Sequence, residues 1–254
     1  MNVFFVGAGP GDPELITVKG QRLLGQADII IYAGSLVNPA LLSLAKNGAV
    51  VYNSASMTLD EVIAVMAAGV KDNKLVVRLH TGDPSIYGAI QEQMDALVAQ
   101  NISFDVIPGV SSFLATAAAL KQEYTLPDVS QTVIITRLEG RTPVPEKEKL
   151  AALASHEATM CIFLSVHMLD DVVKELVDGG YTFETPVAIV QKASWPDQKI
   201  FRGTLATIAQ TARESGIDRT AMIVVGKVLQ TDYALSRLYA PEFGHMFRQA
   251  QEGR

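Results

Sequence analysis

GAGPGDPELIT, residues 7–17, follows directly on the apolar run Val3-Phe4-Phe5-Val6, and the two together read as a β-strand ending in a tight loop. Gly7, Gly9 and Gly11 allow a sharp turn and a close approach of backbone to ligand, because no Cβ intervenes. Pro10 stiffens the same turn. A dinucleotide site requires GxGxxG and an acidic residue about 20 positions on. Here Asp12 stands where the third glycine belongs, and Asp28 precedes the next apolar run instead of following it. No Gly-Lys-Ser/Thr follows either, so a Walker phosphate loop is excluded. By itself the loop is either a ligand contact or a simple strand–loop connection.

Working outward, apolar runs alternate with segments of helical period. Strands are expected at 28–32, 49–52, 75–79 and 104–107, and helices at 17–26, 39–46, 58–70, 86–99 and 111–120. This alternation implies a largely parallel sheet covered on both faces. Residues 121–130, KQEYTLPDVS, are polar, aperiodic and contain Pro127, so they are read as a linker between domains 1–120 and 131–254. The second half carries strands at 132–136, 158–164, 186–190 and 220–225, a helix at 169–178, and a short strand feeding a helix from Lys199. More consecutive strands point to a mixed sheet. The fold class is thus α/β, with two α/β domains, a mainly parallel N-terminal sheet and a mixed C-terminal one.

Composition narrows the function. With 48% hydrophobic and 19% charged residues, the chain is an ordinary globular one. A net charge of −6 argues against nucleic-acid binding. No apolar run approaches the about 18 residues of a membrane span. A lone cysteine, Cys161, excludes an intramolecular disulfide and fits the cytoplasm. Residues 1–128 hold 7 Lys/Arg and 12 Asp/Glu, against 14 and 15 in residues 129–254. The basic side chains of the second half either steer an anionic small molecule or are ordinary solvated helix faces.

Four further loops follow strands and are rich in small residues: 80–88, 107–112, Leu164-Ser165 and 191–194. Open α/β sheets bind ligands at the carboxyl ends of their strands. None of these loops is specific alone. Together, GAGPGDPELIT, TGDPSIYG, VIPGVSS and PVAIVQKASWPDQKIFRGTL resemble, in order and spacing over essentially the whole chain, the tetrapyrrole methyltransferases that use S-adenosylmethionine (SAM). The resemblance implies a cofactor cleft between the two domains, with the N-terminal domain on its tetrapyrrole side and the C-terminal domain on its SAM side, and a homodimer. It implies SAM contacts from Pro10, Thr81, Gly82, Asp83, Ile86, Ser111, Ser112, Leu164, Ala193, Thr220 and Ala221. Within the family, uroporphyrinogen methyltransferases carry an aspartate after the second strand, where this chain has Ala33-Gly34-Ser35-Leu36-Val37, and a lysine segment where it has Asn53-Ser54-Ala55. AGSLV, TRLEGRTPV at 136–144 and LSRLY at 235–239 are instead similar to the branch acting at C11 of precorrin-4, and ITRLEGRTPVPE leans to its cobalt form.

Methyl transfer to a ring carbon is an in-line displacement that needs neither metal nor covalent intermediate. His80, His156, His167 and His245 lack zinc-ligand spacing, so no metal site is expected. Cys161 lies in a strand pattern and reads as core. Asp83 is the candidate catalytic residue, either holding SAM or taking a proton; alternatively it caps a helix starting near Ile86. Arg137, Arg141 and Lys192 are the candidate partners for the substrate's carboxylates. A nicotinamide oxidoreductase lacks its fingerprint here, while a non-catalytic SAM- or tetrapyrrole-binding module remains distinguishable only by turnover.

Overall fold

In the computed structural model of the protein, which describes residues 2–34, 36–230, 233–236, 238 and 240–250, β1 (Val3–Gly7) lies inside a five-stranded sheet. Its partners are β2 (Ile29–Tyr32), β3 (Val50–Asn53), β4 (Val76–His80) and β5 (Phe104–Ile107), in the order β3-β2-β4-β1-β5. Every pairing is parallel, with Val6 opposite both Leu79 and Ile107. Parallel neighbours need crossovers, and right-handed crossovers decide which face each connection covers. The steps β1→β2 and β2→β3 run one way across the sheet; β3→β4 and β4→β5 run back. Accordingly α1 (Val18–Gln26) and a 3-10 helix (Pro39–Leu44) bury Leu23, Leu24 and Leu41 against Val6, Ile30, Val77 and Ile107. On the opposite face α2 (Leu59–Lys71) and α3 (Gln91–Ala99) bury Val62, Met66 and Leu97 against Val3, Phe5, Ile31 and Val76. Each such large apolar side chain contributes about 1.5–3 kcal/mol. α4 (Ser112–Leu120) follows β5.

The second unit holds β6 (Val133–Arg137), β7 (Thr159–Phe163), β8 (Pro186–Gln191), β9 (Lys199–Thr204) and β10 (Ala221–Val225), in the order β6-β7-β10-β8-β9. β6 and β7 are parallel, whereas β10 runs antiparallel to β7 and β8, so this sheet is mixed. α5 (Leu150–Ala154), α6 (Leu169–Asp178) and α7 (Ile208–Glu214) pack together on Met160, Ile162, Ile189 and Ile223. Side chains alternate along a strand, which turns Thr159 and Cys161 to the other face. There Thr159 Oγ1 donates to the Tyr124 carbonyl at 2.8 Å.

Most expected elements are present; the exceptions have local causes. Residues 39–46 form a 3-10 helix, not an α-helix: Asn38 caps it, Pro39 begins it, and it closes at Leu44. The expected helix at 86–99 starts only at Gln91, because Tyr87 and Ala89 adopt left-handed φ of 54° and 48°. α5 was not anticipated, being only 5 residues long. Residues 121–130 are no loose linker, since Tyr124 and Leu126 are buried within the second unit. The chain divides into Met1–Ala119 with Lys192–Lys199, and Leu120–Gln191 with Ile200–Arg254. The segment Lys192–Lys199 therefore groups with the first unit, not with the 131–254 half expected to contain it. Ser35 of AGSLV, and Arg237 and Tyr239 of LSRLY, lie outside the described residues.

Candidate functional site

In the first unit the loops after β1, β4 and β5 meet backbone to backbone. Ala8 N–H donates to the His80 carbonyl, and Gly82 N–H donates to the Gly9 carbonyl at 2.8 Å. Gly9 and Gly82 face each other as an isolated antiparallel bridge. A Cβ on Gly109 would lie 2.2 Å from the Gly82 oxygen and 2.8 Å from Gly7 Cα. The glycines at these positions are thus required by contact, and the three loops form one rigid piece.

Asp83 locks that piece. Its Oδ1 accepts from the Ser85 N–H at 2.8 Å and from the Ser85 hydroxyl, and its Oδ2 accepts from Gly109 N–H at 2.8 Å. Partial burial pushes its pKa up, but the Ser85 hydroxyl and the two amides outweigh this, holding it below the usual carboxylate value. The helix-cap reading of Asp83 is corrected: α3 begins at Gln91, preceded by Ile90, and has no side-chain cap bond. The carboxylate instead joins the β4 loop to the β5 loop.

The first loop is held by side chains from elsewhere in the same unit. Trp195 Nε1 donates to the Pro10 carbonyl at 2.9 Å, Asn38 Nδ2 donates to the Gly11 carbonyl at 2.7 Å, and Asp12 N–H donates to Ser194 Oγ at 2.9 Å. Of the expected contacts, Pro10, Gly82, Ser111 and Ala193 are buried, while Thr81, Asp83, Ile86 and Ser112 are half-buried. Thr81 Oγ1 donates to the Leu36 carbonyl at 3.2 Å. Lys192 pairs with Asp197 at 2.5 Å and lies 5.6 Å from the Trp195 ring centre. Below this site the buried Arg78 guanidinium donates to Gln93 Oε1 and the Ile31 carbonyl. Burial lowers it to about 10. Burial, then the Arg78 charge, lowers the neighbouring His80 to about 3, so the imidazole is neutral.

In the second unit the expected residues gather at one end of the sheet. Arg137 is opposite Phe163, and Ala221 is opposite Gln191. Continuing the register from Ile223↔Ile162 places Leu164 beside Ala221. Leu164 and Thr220 both adopt left-handed backbone, with φ of 56° and 53°. Such strain at a branched residue concentrates at ligand sites, and Leu164 is 56% exposed, so packing does not account for it. Ser165 is buried, accepting from Leu138 N–H at 2.9 Å and donating to the Phe163 carbonyl at 2.6 Å. Arg137 donates to the carbonyls of Leu138, Thr142 and Pro143. Its guanidinium thus ties down its own loop, whereas Arg141 is exposed.

Sequence reasoning missed Asn38 and Ser194, whose bonds to the first loop span 27 and 182 positions and have no local signature. The bond from Trp195 to the Pro10 carbonyl spans 185 positions and is equally without a local signature. Its pairing with Gly11 carried a signal in hindsight, since a Cβ there would lie 2.0 Å from the ring.

Among the expected SAM contacts, the one formal charge is the Asp83 carboxylate, and it is held ionised. Within the first unit, the loops with their small residues, backbone groups and one anion fit a cationic sulfonium. Residues 2–209 match the family described as Tetrapyrrole (Corrin/Porphyrin) Methylases. The cobalt-precorrin-4 C(11)-methyltransferase of Methanocaldococcus jannaschii is 60% identical over 98% of this chain and 97% of its own. The X-ray structure of a cobalamin biosynthetic enzyme, cobalt precorrin-4 methyltransferase, superposes with a TM-score of 0.89 at 48% identity, covering 91% of this chain and 96% of that one. The Thermus thermophilus uroporphyrin-III C-methyl transferase complexed with S-adenyl homocysteine gives a TM-score of 0.75 at 27% identity, covering 91% and 94%. One parallel and one mixed five-stranded sheet, the glycine-locked loops and the full-length similarity agree, and this chain belongs to the tetrapyrrole methylases.

Proposed function

We propose that the protein transfers a methyl group from SAM to C11 of cobalt-precorrin-4, giving cobalt-precorrin-5 in corrin biosynthesis. The observation that carries the reading is the 60% identity, over 98% of the chain, to a methyltransferase of that name. The absence of a carboxylate in Tyr32–Val37 supports it over a uroporphyrinogen substrate.

SAM, when bound, supplies an electrophilic methyl on a sulfonium. The chain's own task is then to hold two partners in line, and positioning of that kind supplies up to about 7–11 kcal/mol of a barrier. Pro10, Thr81, Gly82, Asp83, Ile86, Ser111, Ser112, Ala193, Leu164, Thr220 and Ala221 are the proposed SAM contacts. Asp83 acts as a positioning residue, since both its oxygens are engaged with Ser85 and Gly109. Arg141 is the foremost proposed partner for substrate carboxylates. Arg137 shapes the loop that carries Arg141, and Lys192 offers its charge only by exchanging Asp197. A homodimer in the cytoplasm completes the proposal; among the described residues no helix is long and apolar enough to cross a membrane.

Incubation with SAM and either cobalt- or metal-free precorrin-4 tests the reading. The expected product gains one methyl by mass spectrometry, placed at C11 by NMR. Methylation of uroporphyrinogen III alone, or SAM binding without any product, would sink it.

A further inference from the structure

We infer that Trp195 and Ser194 are positioning residues for the SAM site, acting through the backbone of Pro10–Asp12. This rests on the reading above that Pro10 belongs to that site. Three successive main-chain groups of the first loop are each held by a different side chain. The Pro10 carbonyl takes Trp195 Nε1–H at 2.9 Å, the Gly11 carbonyl takes Asn38 at 2.7 Å, and Asp12 N–H reaches Ser194 Oγ at 2.9 Å. A turn needing only to connect a strand to a helix would satisfy these groups locally or in water.

The tip that supplies two of the three is itself built for the purpose. Lys192 and Ser194 adopt left-handed φ of 51° and 70°, which L-residues seldom take unless surrounding bonds over-determine it. Those bonds are present. Trp195 N–H donates to the Lys192 carbonyl at 3.0 Å, Gln198 N–H to the Trp195 carbonyl at 3.1 Å, and Ser194 N–H to Gln198 Oε1 at 2.7 Å. Lys192, paired with Asp197, covers the ring at 5.6 Å. The indole also fills the space a Cβ on Gly11 would need, 2.0 Å from Cδ1. Ring and glycine are therefore fitted to each other. With the clamp in place, the loop meets its ligand already ordered, and binding pays less entropy.

The protein contains a single tryptophan, so the clamp reports on itself. SAM is titrated into wild type, Trp195→Phe and Ser194→Ala, with binding followed by calorimetry, thermal unfolding measured in parallel, and Trp195 emission recorded where it remains. Phe keeps an aromatic ring beside Gly11 and removes the donor together with the second ring. The expected result is a saturable change in wild-type emission at the calorimetric Kd, with SAM binding about three- to tenfold weaker in each variant and Tm lowered by no more than about 2–4 °C. Ser194→Ala alone decides should Trp195→Phe fail to fold. Wild-type SAM affinity in the folded variants overturns the proposal, as does weakening found only in variants partly unfolded at the titration temperature. No SAM binding by the wild-type chain overturns the functional reading beneath it.

Discussion

Gly109→Ala probes the junction of the three loops with one methyl group. The new Cβ would meet the Gly82 oxygen at 2.2 Å, Gly7 Cα at 2.8 Å and Gly7 C at 3.1 Å, all backbone. No rotamer relieves such a contact, so the β5 loop must retreat. Overpacking of this kind costs about 1–3 kcal/mol. The retreat also draws Gly109 N–H away from Asp83 Oδ2, now at 2.8 Å, and a hydrogen bond to a charged group is worth about 1.5–3 kcal/mol. The expected destabilisation is about 2.5–6 kcal/mol, or roughly 5–20 °C in Tm for a chain of this size. Differential scanning fluorimetry measures it, with Gly25→Ala as the control. Gly25 lies in α1, where a Cβ would meet only Leu44 O at 3.4 Å, and alanine should stabilise by up to about 1 kcal/mol. A Gly109→Ala protein within about 2 °C of wild type would refute the reasoning, since it implies slack of an ångström between the loops.

Asp83→Asn turns an amide donor toward Gly109 N–H and should cost about 1–2 kcal/mol after allowance for partial exposure. Because the folded carboxyl lies below its ordinary value, its contribution is full above about pH 4 and is lost as pH falls through the folded pKa; denaturation of wild type and variant should converge only in that acid window. Leu164→Gly removes a left-handed leucine that is mostly exposed, so Tm should rise by about 2–4 °C while SAM affinity falls; a lowered Tm would show that Leu164 is held by packing. Burial raises the Cys161 thiol to about 12, opposed by a Tyr124 hydrogen bond. Iodoacetamide at pH 8 should therefore leave the native protein unlabelled and modify it only in denaturant, as read by mass spectrometry.

Much of this fold is local and hence legible. Strand runs such as Ile29–Tyr32 and the amphipathic Leu169–Asp178 carry their period in adjacent residues. What escaped reading depends on distant partners or on backbone strain. The helix expected from residue 86 begins only at Gln91, since Tyr87 and Ala89 take left-handed φ and Gly88 is pressed so close that a Cβ would lie 2.1 Å from Pro84 O. Tyr124 and Leu126 sit in a polar stretch, and only their burial, with the Tyr124 carbonyl bonded to Thr159 of β7, reveals them as core. At the site, small residues marked which loops matter, but not who holds them. Asp83 was singled out, while its link to Gly109, 26 positions on, was not readable. Leu164 and Thr220 are expected contacts that only the family resemblance implies; their strained backbone is visible only in the structure.

The first unit is discontinuous in the chain, needing Lys192–Lys199 in addition to Met1–Ala119. During synthesis its sheet is complete once β5 has emerged, yet Pro10 and Asp12 still lack Trp195 and Ser194. At about 5–20 residues per second, the nascent domain waits several seconds with its first loop unpinned. A ribosome stalled after α4 should thus display a folded sheet without a finished ligand loop, and competence arrives only with the tip between β8 and β9.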